Sequence, residues 1–378
     1  MDFTFSEDQI SIGGIARNLF DRLARPDRLT ELEAGSETGS VRHDPAAWQA
    51  LADADLLGIA LPESIGGSGR GFLDLAVVLA EVGWSVAPVP AYATLVLGAD
   101  TIARHGDAEQ IQRWLSEVVT GDRILTAGLT EPGRTDPASP VTTARSDGGG
   151  WRLDGAKDLL PAAQIADAIV VPATTDDGEV GIFVVNAREQ GVTVTPVPTT
   201  GGQPHADVTF DGASVSGRDR LCATGDGAQA VRDLHDRALV ALCAQQIGVT
   251  ERALRMAAAY TSEREQFGRP IGSFQAIQQR MADAFIDVEA IRWTTWHAAW
   301  LIGEGRSAHR EASIAKFWAA EAGMRVVATA QQVHGGIGID VSYPLFRYFL
   351  WAKHNELALG SASAHLARLG STYPALVS

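Results

Sequence analysis

The sequence predicts an α+β chain in three segments: an N-terminal helical domain, a middle antiparallel β-domain and a C-terminal four-helix bundle. The spacing of apolar residues changes twice along the chain, from helical to alternating and back to helical. With 378 residues the chain is long enough for two or three domains, and it contains no internal repeat or low-complexity stretch. The two changes define the predicted domains, at residues 1–121, 122–225 and 226–378.

Helical spacing dominates the first segment. Apolar residues recur every four or five positions from Ile10 to Leu23, and Ser6, which precedes two acidic residues, is typical of a helix N-cap. Pro62 and the glycine pair that follows it at 66–67 divide the segment into separate helices.

The middle segment contains short runs rich in β-branched residues. Glycine, aspartate and proline clusters separate these runs, which lie at 168–175, 180–186, 191–197 and 206–210. Runs of this length between turn residues favour a small antiparallel β-domain.

Long helical periods return in the third segment. Its clearest apolar stripe has spacings of four, four, three and three residues, at Ile277, Met281, Phe285, Val288 and Ile291. Three tryptophans at 293, 296 and 300 extend the stripe as expected core or interface residues. The segment is long enough for an antiparallel four-helix bundle.

The composition excludes several classes of protein. The 31 Lys and Arg against 46 Asp and Glu give a net charge of −15, which disfavours nucleic acid and anionic membrane surfaces as partners. Cys222 and Cys243 form no CxxC or Cys/His cluster, so we expect neither a disulfide framework nor a metal site. The sequence shows no signal peptide or membrane-spanning run, and a cytoplasmic location is expected.

Several local strings then resemble one family, the acyl-CoA dehydrogenase flavoproteins, along the whole chain. The two strongest are SEREQFGRPIGSFQAIQQRMAD at 262–283 and QQVHGGIG at 331–338. Weaker matches are MDFTFSEDQ at the start, WQALADADLLGIALPESIGGSG at 48–69, LTEPGRTD at 129–136 and WRLDGAKDLLPAAQIAD at 151–167. Two long motifs in the right order are far more specific than one short glycine pattern.

The resemblance implies the acyl-CoA dehydrogenase fold and a tetramer made of two dimers. FAD lies across the dimer interface in this family, so that each site is built from two subunits. The late motifs imply the half of the site that binds adenine and pyrophosphate, where the guanidinium fork of Arg264 suits pyrophosphate oxygens. The other residues that match cofactor-contacting positions are Gln266, Phe267, Phe274, Gln275, Gln332, Gly335 and Gly336. A Cβ at the two glycines would block the approach of the cofactor to the backbone.

The half that holds the isoalloxazine ring departs from the family pattern. Leu159, Leu160 and Pro161 replace the family's tryptophan, isoleucine and threonine. The threonine normally hydrogen-bonds the reactive end of the flavin, whereas Pro161 has neither a hydroxyl nor a backbone N–H. The loop at 129–136 is also altered, so that its surviving Thr-Glu-Pro is expected to be structural.

Glu356 is the candidate catalytic base, because it follows Arg347 by nine residues as the family's glutamate follows its arginine. The family's base removes the α-proton of an acyl-CoA thioester, and burial beside apolar groups suits a glutamate to that task. The glycine and threonine that follow the family's glutamate are missing here, and a solvated residue at a helix end is the alternative interpretation.

Some family members carry the base on an earlier helix instead. That position falls at Ala238 or Leu239 in this chain. The neighbouring Asp236 and Arg237 are then expected to form surface charge pairs or to contact the CoA moiety.

Three functions stay open on this sequence. In the first, the chain is one subunit of a hetero-oligomeric acyl-CoA dehydrogenase, gives a partner subunit the adenine and pyrophosphate half of an FAD site, and Glu356 is vestigial. In the second, it is a self-sufficient homotetrameric dehydrogenase with Glu356 as base. In the third, it is a non-redox binding or stabilising subunit of the same fold.

The stretch HGGIGIDVSYPLFRYFLWAKH at 334–354 resembles subunits of the α2β2 dehydrogenases of actinobacterial steroid side-chain degradation. This resemblance implies a heterotetramer and a bulky, branched or steroid-derived acyl-CoA thioester as substrate. An electron-transfer flavoprotein is the electron acceptor that the family implies.

Overall fold

The computed structural model describes residues 4–37, 40–222 and 225–372. Its α-helices are α1 Glu7–Leu23, α2 Pro26–Glu37, α3 Pro45–Asp53, α4 Phe72–Ser85, α5 Thr101–His105, α6 Ala108–Val119, α7 Gly227–Glu263, α8 Gln275–Gly303, α9 His309–His334, α10 Leu345–Leu357 and α11 Ala362–Thr372. Its strands are β1 Leu125–Ala127, β2 Thr143–Asp147, β3 Gly150–Pro161, β4 Ala168–Thr175, β5 Val180–Asn186, β6 Val192–Val197, β7 His205–Ser216, β8 Arg220–Leu221, β9 Glu265–Gln266 and β10 Arg269–Pro270. A 3₁₀ turn at Gly335–Ile339 follows α9 directly.

The chain divides into two compact units. The helical unit comprises the described residues up to 29, residues 76–87 and the described residues from 239 onward, and the sheet unit comprises residues 30–75 and 88–238 within the described ranges. The order of elements is helices, then strands, then long helices, as the sequence predicts. The domain boundaries at 121 and 225 stay predictions.

The sheet unit is built on one eight-stranded sheet. Its strand order is β6-β7-β3-β2-β4-β5-β8, with β1 beside β4. The pairings are antiparallel except those of β4 with β1 and with β2, which are parallel. The predicted runs at 168–175 and 180–186 form β4 and β5 with those same limits, and the strands pair with each other. Their alternate residues, including Ile169, Val171 and Phe183, are fully buried in the core of the sheet.

In the helical unit, α9 packs against α8, α10 and α11. Helix α1 begins with the predicted cap: the Ser6 hydroxyl accepts from the Gln9 N–H, and the Gln9 side chain accepts from the Ser6 N–H. Glycines let the second part of α4 approach α7 closely. A Cβ on Gly83 would lie 2.0 Å from the Gln245 carbonyl oxygen, and one on Gly248 would lie 1.9 Å from that of Ala80.

The predicted apolar stripe of α8 is only partly internal. Val288 and Ile291 are buried, but 58% of Phe285 is exposed. Trp296 is buried, while 43% of Trp293 is exposed. The period therefore gives the helix correctly, but part of its apolar face is uncovered in the single chain.

Among the described residues, no helix is both long enough and apolar enough to cross a membrane.

Candidate functional site

The first part of the predicted cofactor site is a hairpin that follows α7. The Arg264 N–H donates to the Tyr260 carbonyl oxygen over 2.8 Å and extends the last turn of the helix. Strands β9 and β10 then pair around a two-residue turn of Phe267 and Gly268. Both turn residues have positive φ, 55° and 77°, as a turn that follows the twist of the strands requires. Phe267 sits at the tip with 92% of its surface exposed.

The positively charged side chain of Arg264, at the start of this hairpin, is accessible. Arg264 is exposed and makes no side-chain hydrogen bond or ion pair within the described ranges. The Phe267 and Phe274 rings meet edge to face, with 6.2 Å between their centroids. The Arg269 guanidinium lies over the Phe274 ring at 4.2 Å. The accessible Arg264 guanidinium can bind a phosphate, and the Phe267 and Phe274 rings can stack on an adenine base.

The second part of the site is the turn that ends α9. Gly335 has φ 65° and ψ −142°, a conformation that a side chain disfavours. Apart from its chain neighbours and the backbone of its own helical turn, a Cβ on Gly335 or Gly336 would meet no atom of the described chain within 4 Å. The space in front of this turn is therefore open, and the exposed Gln332 lies one turn before it on α9.

All eight predicted cofactor residues lie in the helical unit. Seven are exposed and Phe274 is half-buried. The exposed Arg264 and the open glycine turn fit the adenine and pyrophosphate portion of FAD.

The segment predicted to meet the isoalloxazine ring lies in the sheet unit and lacks the family's groups. Leu159 has φ 54° and is 52% exposed, and its N–H donates to Asp207 Oδ1 over 2.9 Å. Leu160 is buried, and the Pro161 carbonyl accepts from the Thr126 hydroxyl over 2.6 Å. Nothing at position 161 can donate a hydrogen bond to a flavin.

The preceding Thr-Glu-Pro loop is structural, as the sequence suggests. Glu131 is 5% exposed, and its carboxylate accepts from the Val141 and Thr142 N–H groups, the Thr142 hydroxyl and Lys157 Nζ. Burial alone would raise the pKa of Glu131, but these donors hold that pKa below its ordinary value. Burial lowers the pKa of Lys157, and the contact with Glu131 partly offsets this.

Glu356 lies in the last turn of α10. Its carboxylate accepts from Lys353 Nζ over 2.5 Å, and 22% of its side chain is exposed. An i, i+3 ion pair on a partly exposed helix end is also typical of an ordinary surface residue, which is the alternative interpretation of Glu356.

Below Glu356 lies a buried lysine that the sequence analysis missed. Lys316 Nζ donates to the carbonyl oxygens of Asn355, Glu356 and Gly360 at 2.8, 3.0 and 2.9 Å, and so caps the carboxyl end of α10. Burial lowers the pKa of Lys316 to about 8. A lysine inside the apolar run SIAKFW was the available signal.

The expectation of surface charge pairs at Asp236 and Arg237 was wrong. Both residues are buried, and Arg237 pairs with Asp100 over 3.2 Å while its guanidinium lies over the Phe72 ring. Asp100 is the last residue of a π-helix at Tyr92–Asp100, and the pair compensates two opposite charges buried in the sheet unit.

Three regions of the chain match family models. Residues 6–122 match the acyl-CoA dehydrogenase N-terminal domain, 126–213 the middle domain and 225–372 the C-terminal domain. The curated protein "Acyl-CoA dehydrogenase FadE27" of Mycobacterium tuberculosis is 40% identical over 98% of both chains.

Two solved structures are similar along nearly the whole chain. The ChsE4-ChsE5 complex from Mycobacterium tuberculosis matches with a TM-score of 0.91 and 41% identity, over 99% of this chain and 100% of that one. A variant of the "Tcur3481-Tcur3483 steroid ACAD" matches with a TM-score of 0.89 and 43% identity, over 97% of each chain. The chain belongs to the acyl-CoA dehydrogenase family of FAD-dependent oxidoreductases.

Proposed function

We propose that this chain is one subunit of a heteromeric FAD-dependent acyl-CoA dehydrogenase. It supplies the adenine and pyrophosphate half of an interfacial FAD site, and a related partner subunit supplies the half that holds the isoalloxazine ring. The observation that carries this proposal is an asymmetry. Arg264 and the Gly335–Gly336 turn are exposed and open, whereas Pro161 stands where the ring half needs a donor.

In this proposal each residue has a defined role toward the cofactor. Arg264 neutralises the pyrophosphate, the glycine turn offers backbone N–H groups, and Phe267 and Phe274 cover the adenine. Gln266, Gln275 and Gln332 offer amides around them. When bound, FAD would supply the acceptor for the hydride that leaves the β-carbon of the acyl-CoA.

The names of the two similar structures support the partner and the substrate class. Each is a complex of two differently named chains, and one is called a steroid ACAD. We therefore propose a heterotetramer that acts on a bulky or steroid-derived acyl-CoA thioester, with an electron-transfer flavoprotein as acceptor. The pairing of Glu356 with Lys353 favours a base on the partner subunit, and the self-sufficient enzyme with Glu356 as base is the competing account.

The test is a set of arginine variants in the complex of this chain with its related partner. Arg264→Gln removes the charged fork, so we expect the FAD dissociation constant to rise by about 10- to 100-fold, as the loss of hydrogen bonds to a charged group implies. Arg264→Lys keeps the charge without the planar fork, so its FAD dissociation constant should lie between those of the wild type and Arg264→Gln. Titration of the apo-complex with FAD, followed by flavin fluorescence, measures each constant.

Arg188→Gln is the matched control, because 83% of the Arg188 side chain is exposed and it lies in the sheet unit. Its FAD affinity should equal that of the wild type. Wild-type affinity in the Arg264→Gln complex would remove Arg264 from the site and contradict the proposal.

A further inference from the structure

Three aromatic side chains form a cluster behind the proposed FAD half-site. The ring of His334, the last residue of α9, stacks on the ring of Tyr260, with 4.4 Å between centroids and 24° between planes. The Tyr343 ring lies against the other part of the imidazole, at 5.2 Å and 49°. His334 is 4% exposed and both tyrosines are half-buried.

The hydrogen bonds define the state of the imidazole. His334 Nδ1 lies 2.7 Å from the Ala330 carbonyl oxygen, which can only accept, so Nδ1 carries the proton. Nε2 lies 3.1 Å from the Tyr343 hydroxyl and accepts from it in the neutral ring. Burial lowers the pKa of His334 and raises that of Tyr343, which agrees with a neutral imidazole and a protonated phenol.

The cluster joins the two separate parts of the half-site. Tyr260 is in the last turn of α7, and its carbonyl oxygen accepts from the N–H of Arg264. His334 directly precedes Gly335, and Tyr343 lies just beyond the 3₁₀ turn that contains both glycines. The Tyr260–His334 stack therefore fixes the Arg264 end of α7 against the glycine turn, and the Tyr343 hydroxyl closes the far side of that turn.

We propose that His334 is a positioning residue for the cofactor, which holds Arg264 and the Gly335–Gly336 turn at the separation that one pyrophosphate requires. This inference rests on the proposed function. In this role His334 does not contact FAD directly and acts through Tyr260 and Tyr343. Its imidazole satisfies the last turn of α9 on one edge and the tyrosine hydroxyl on the other.

The test measures FAD affinity and thermal stability separately in the complex with the related partner. His334→Leu removes both ring nitrogens and the stack, so we expect the FAD dissociation constant to rise by about five- to tenfold, the effect of one lost buried hydrogen bond and one aromatic pair. Tyr343→Phe removes only the hydroxyl and should raise the constant about threefold. The double variant should lose no more than His334→Leu alone, since both act through one bond.

His334→Gln supplies the rescue, because its amide oxygen can accept from the Tyr343 hydroxyl, and it should recover part of the affinity. His297→Leu is the matched control. His297 also stacks on an aromatic ring, that of Trp300, but it lies within α8, away in sequence from both the hairpin and the glycine turn. Its FAD affinity should not change.

A His334→Leu complex with a lower melting temperature and wild-type FAD affinity would show a purely structural role and overturn the inference alone. If His334→Leu fails to fold, wild-type FAD affinity in Tyr343→Phe overturns it equally. A complex in which Arg264→Gln leaves FAD affinity unchanged would instead contradict the proposed function, so the two failures are distinguishable.

Discussion

Glu131 shows how a residue inside a recognisable motif can stabilise the fold. Its carboxylate accepts four hydrogen bonds, one of them from Lys157 over 2.6 Å, and both side chains are at most 3% exposed. A buried pair of this kind is costly to break from one side, because the remaining charge is left without compensation. The motif therefore fixes the strands of the sheet unit.

Glu131→Gln should lower the free energy of unfolding by about 3–5 kcal/mol, the range for removing one partner of a buried ion pair. The control is Asp147→Asn, whose pair with Arg152 is about half exposed and should change the stability by less than about 1 kcal/mol. Urea unfolding of the two variants at neutral pH measures the difference. Equal stabilities would contradict the structural role of Glu131.

The same carboxylate predicts a pH dependence. The folded-state pKa of Glu131 lies below its ordinary value of 4.5, so the unfolded chain binds the proton more readily. The stability that Glu131 contributes is full above about pH 4.5 and is lost as the pH falls further. Wild-type protein should thus lose more stability between about pH 5 and about pH 3.5 than Glu131→Gln does, as urea unfolding at the two pH values measures.

Local sequence predicted single residues such as the Ser6 cap, but it did not predict contacts between residues far apart in the chain. The eight cofactor positions were predicted from long strings that match the family. The contact partners of Glu131, Lys316 and Arg237 were not predicted. Lys157 lies 26 positions from Glu131, and Asp100 lies 137 from Arg237. Only the folded chain brings such groups together, and a charge in a sequence looks the same whether it ends on the surface or inside.

The hairpin of β9 and β10 is an element whose sequence does not suit the isolated chain. Phe267 holds a left-handed backbone conformation and exposes almost its whole ring, and each of these costs free energy without a covering surface. We interpret the tip as a contact with the partner subunit and the cofactor.

Phe267→Gly should leave the melting temperature of the isolated chain unchanged or slightly higher, because glycine tolerates the positive φ and the exposed ring has little packing to lose. In the complex it should weaken the association of the two subunits by about tenfold or more, as for an aromatic anchor. Sedimentation at decreasing concentration measures the association, and Phe267→Tyr is the control that keeps the ring. Unchanged association would contradict the contact.

Elements were predictable where local chemistry decides them. Strands β4 and β5 have the predicted limits because β-branched runs between turn residues leave few alternatives. The burial of α8 was not predictable in the same way. The apolar residues of α8 have a helical period throughout, but the period does not tell which of them are buried, and Phe285 is exposed.

At the scale of the whole molecule, the two compact units cut across the order of the chain. Helix α1 and the second half of α4 belong with the C-terminal helices, although they precede the sheet in sequence. Glycines at positions 83 and 248 make this association possible, because a Cβ added at either position would collide with the facing backbone. The change in hydrophobic period gives the order of elements, but it contains no information on which distant helices pack together.

At this scale, the eight predicted cofactor residues all lie in the helical unit. The helical unit presents the exposed Arg264 and the open glycine turn, and the proline at position 161 of the sheet unit offers neither a hydroxyl nor an N–H. Under the proposed function, a related partner chain supplies the half of the site that holds the ring.

The most direct test expresses the chain alone and together with its related partner, and measures flavin absorbance near 450 nm per polypeptide alongside the native mass. The account predicts a colourless isolated chain and a heterotetramer that holds about one FAD per two polypeptides. An isolated homotetramer with about one FAD per polypeptide would contradict the half-site, and Glu356→Gln would then decide whether this chain carries its own base.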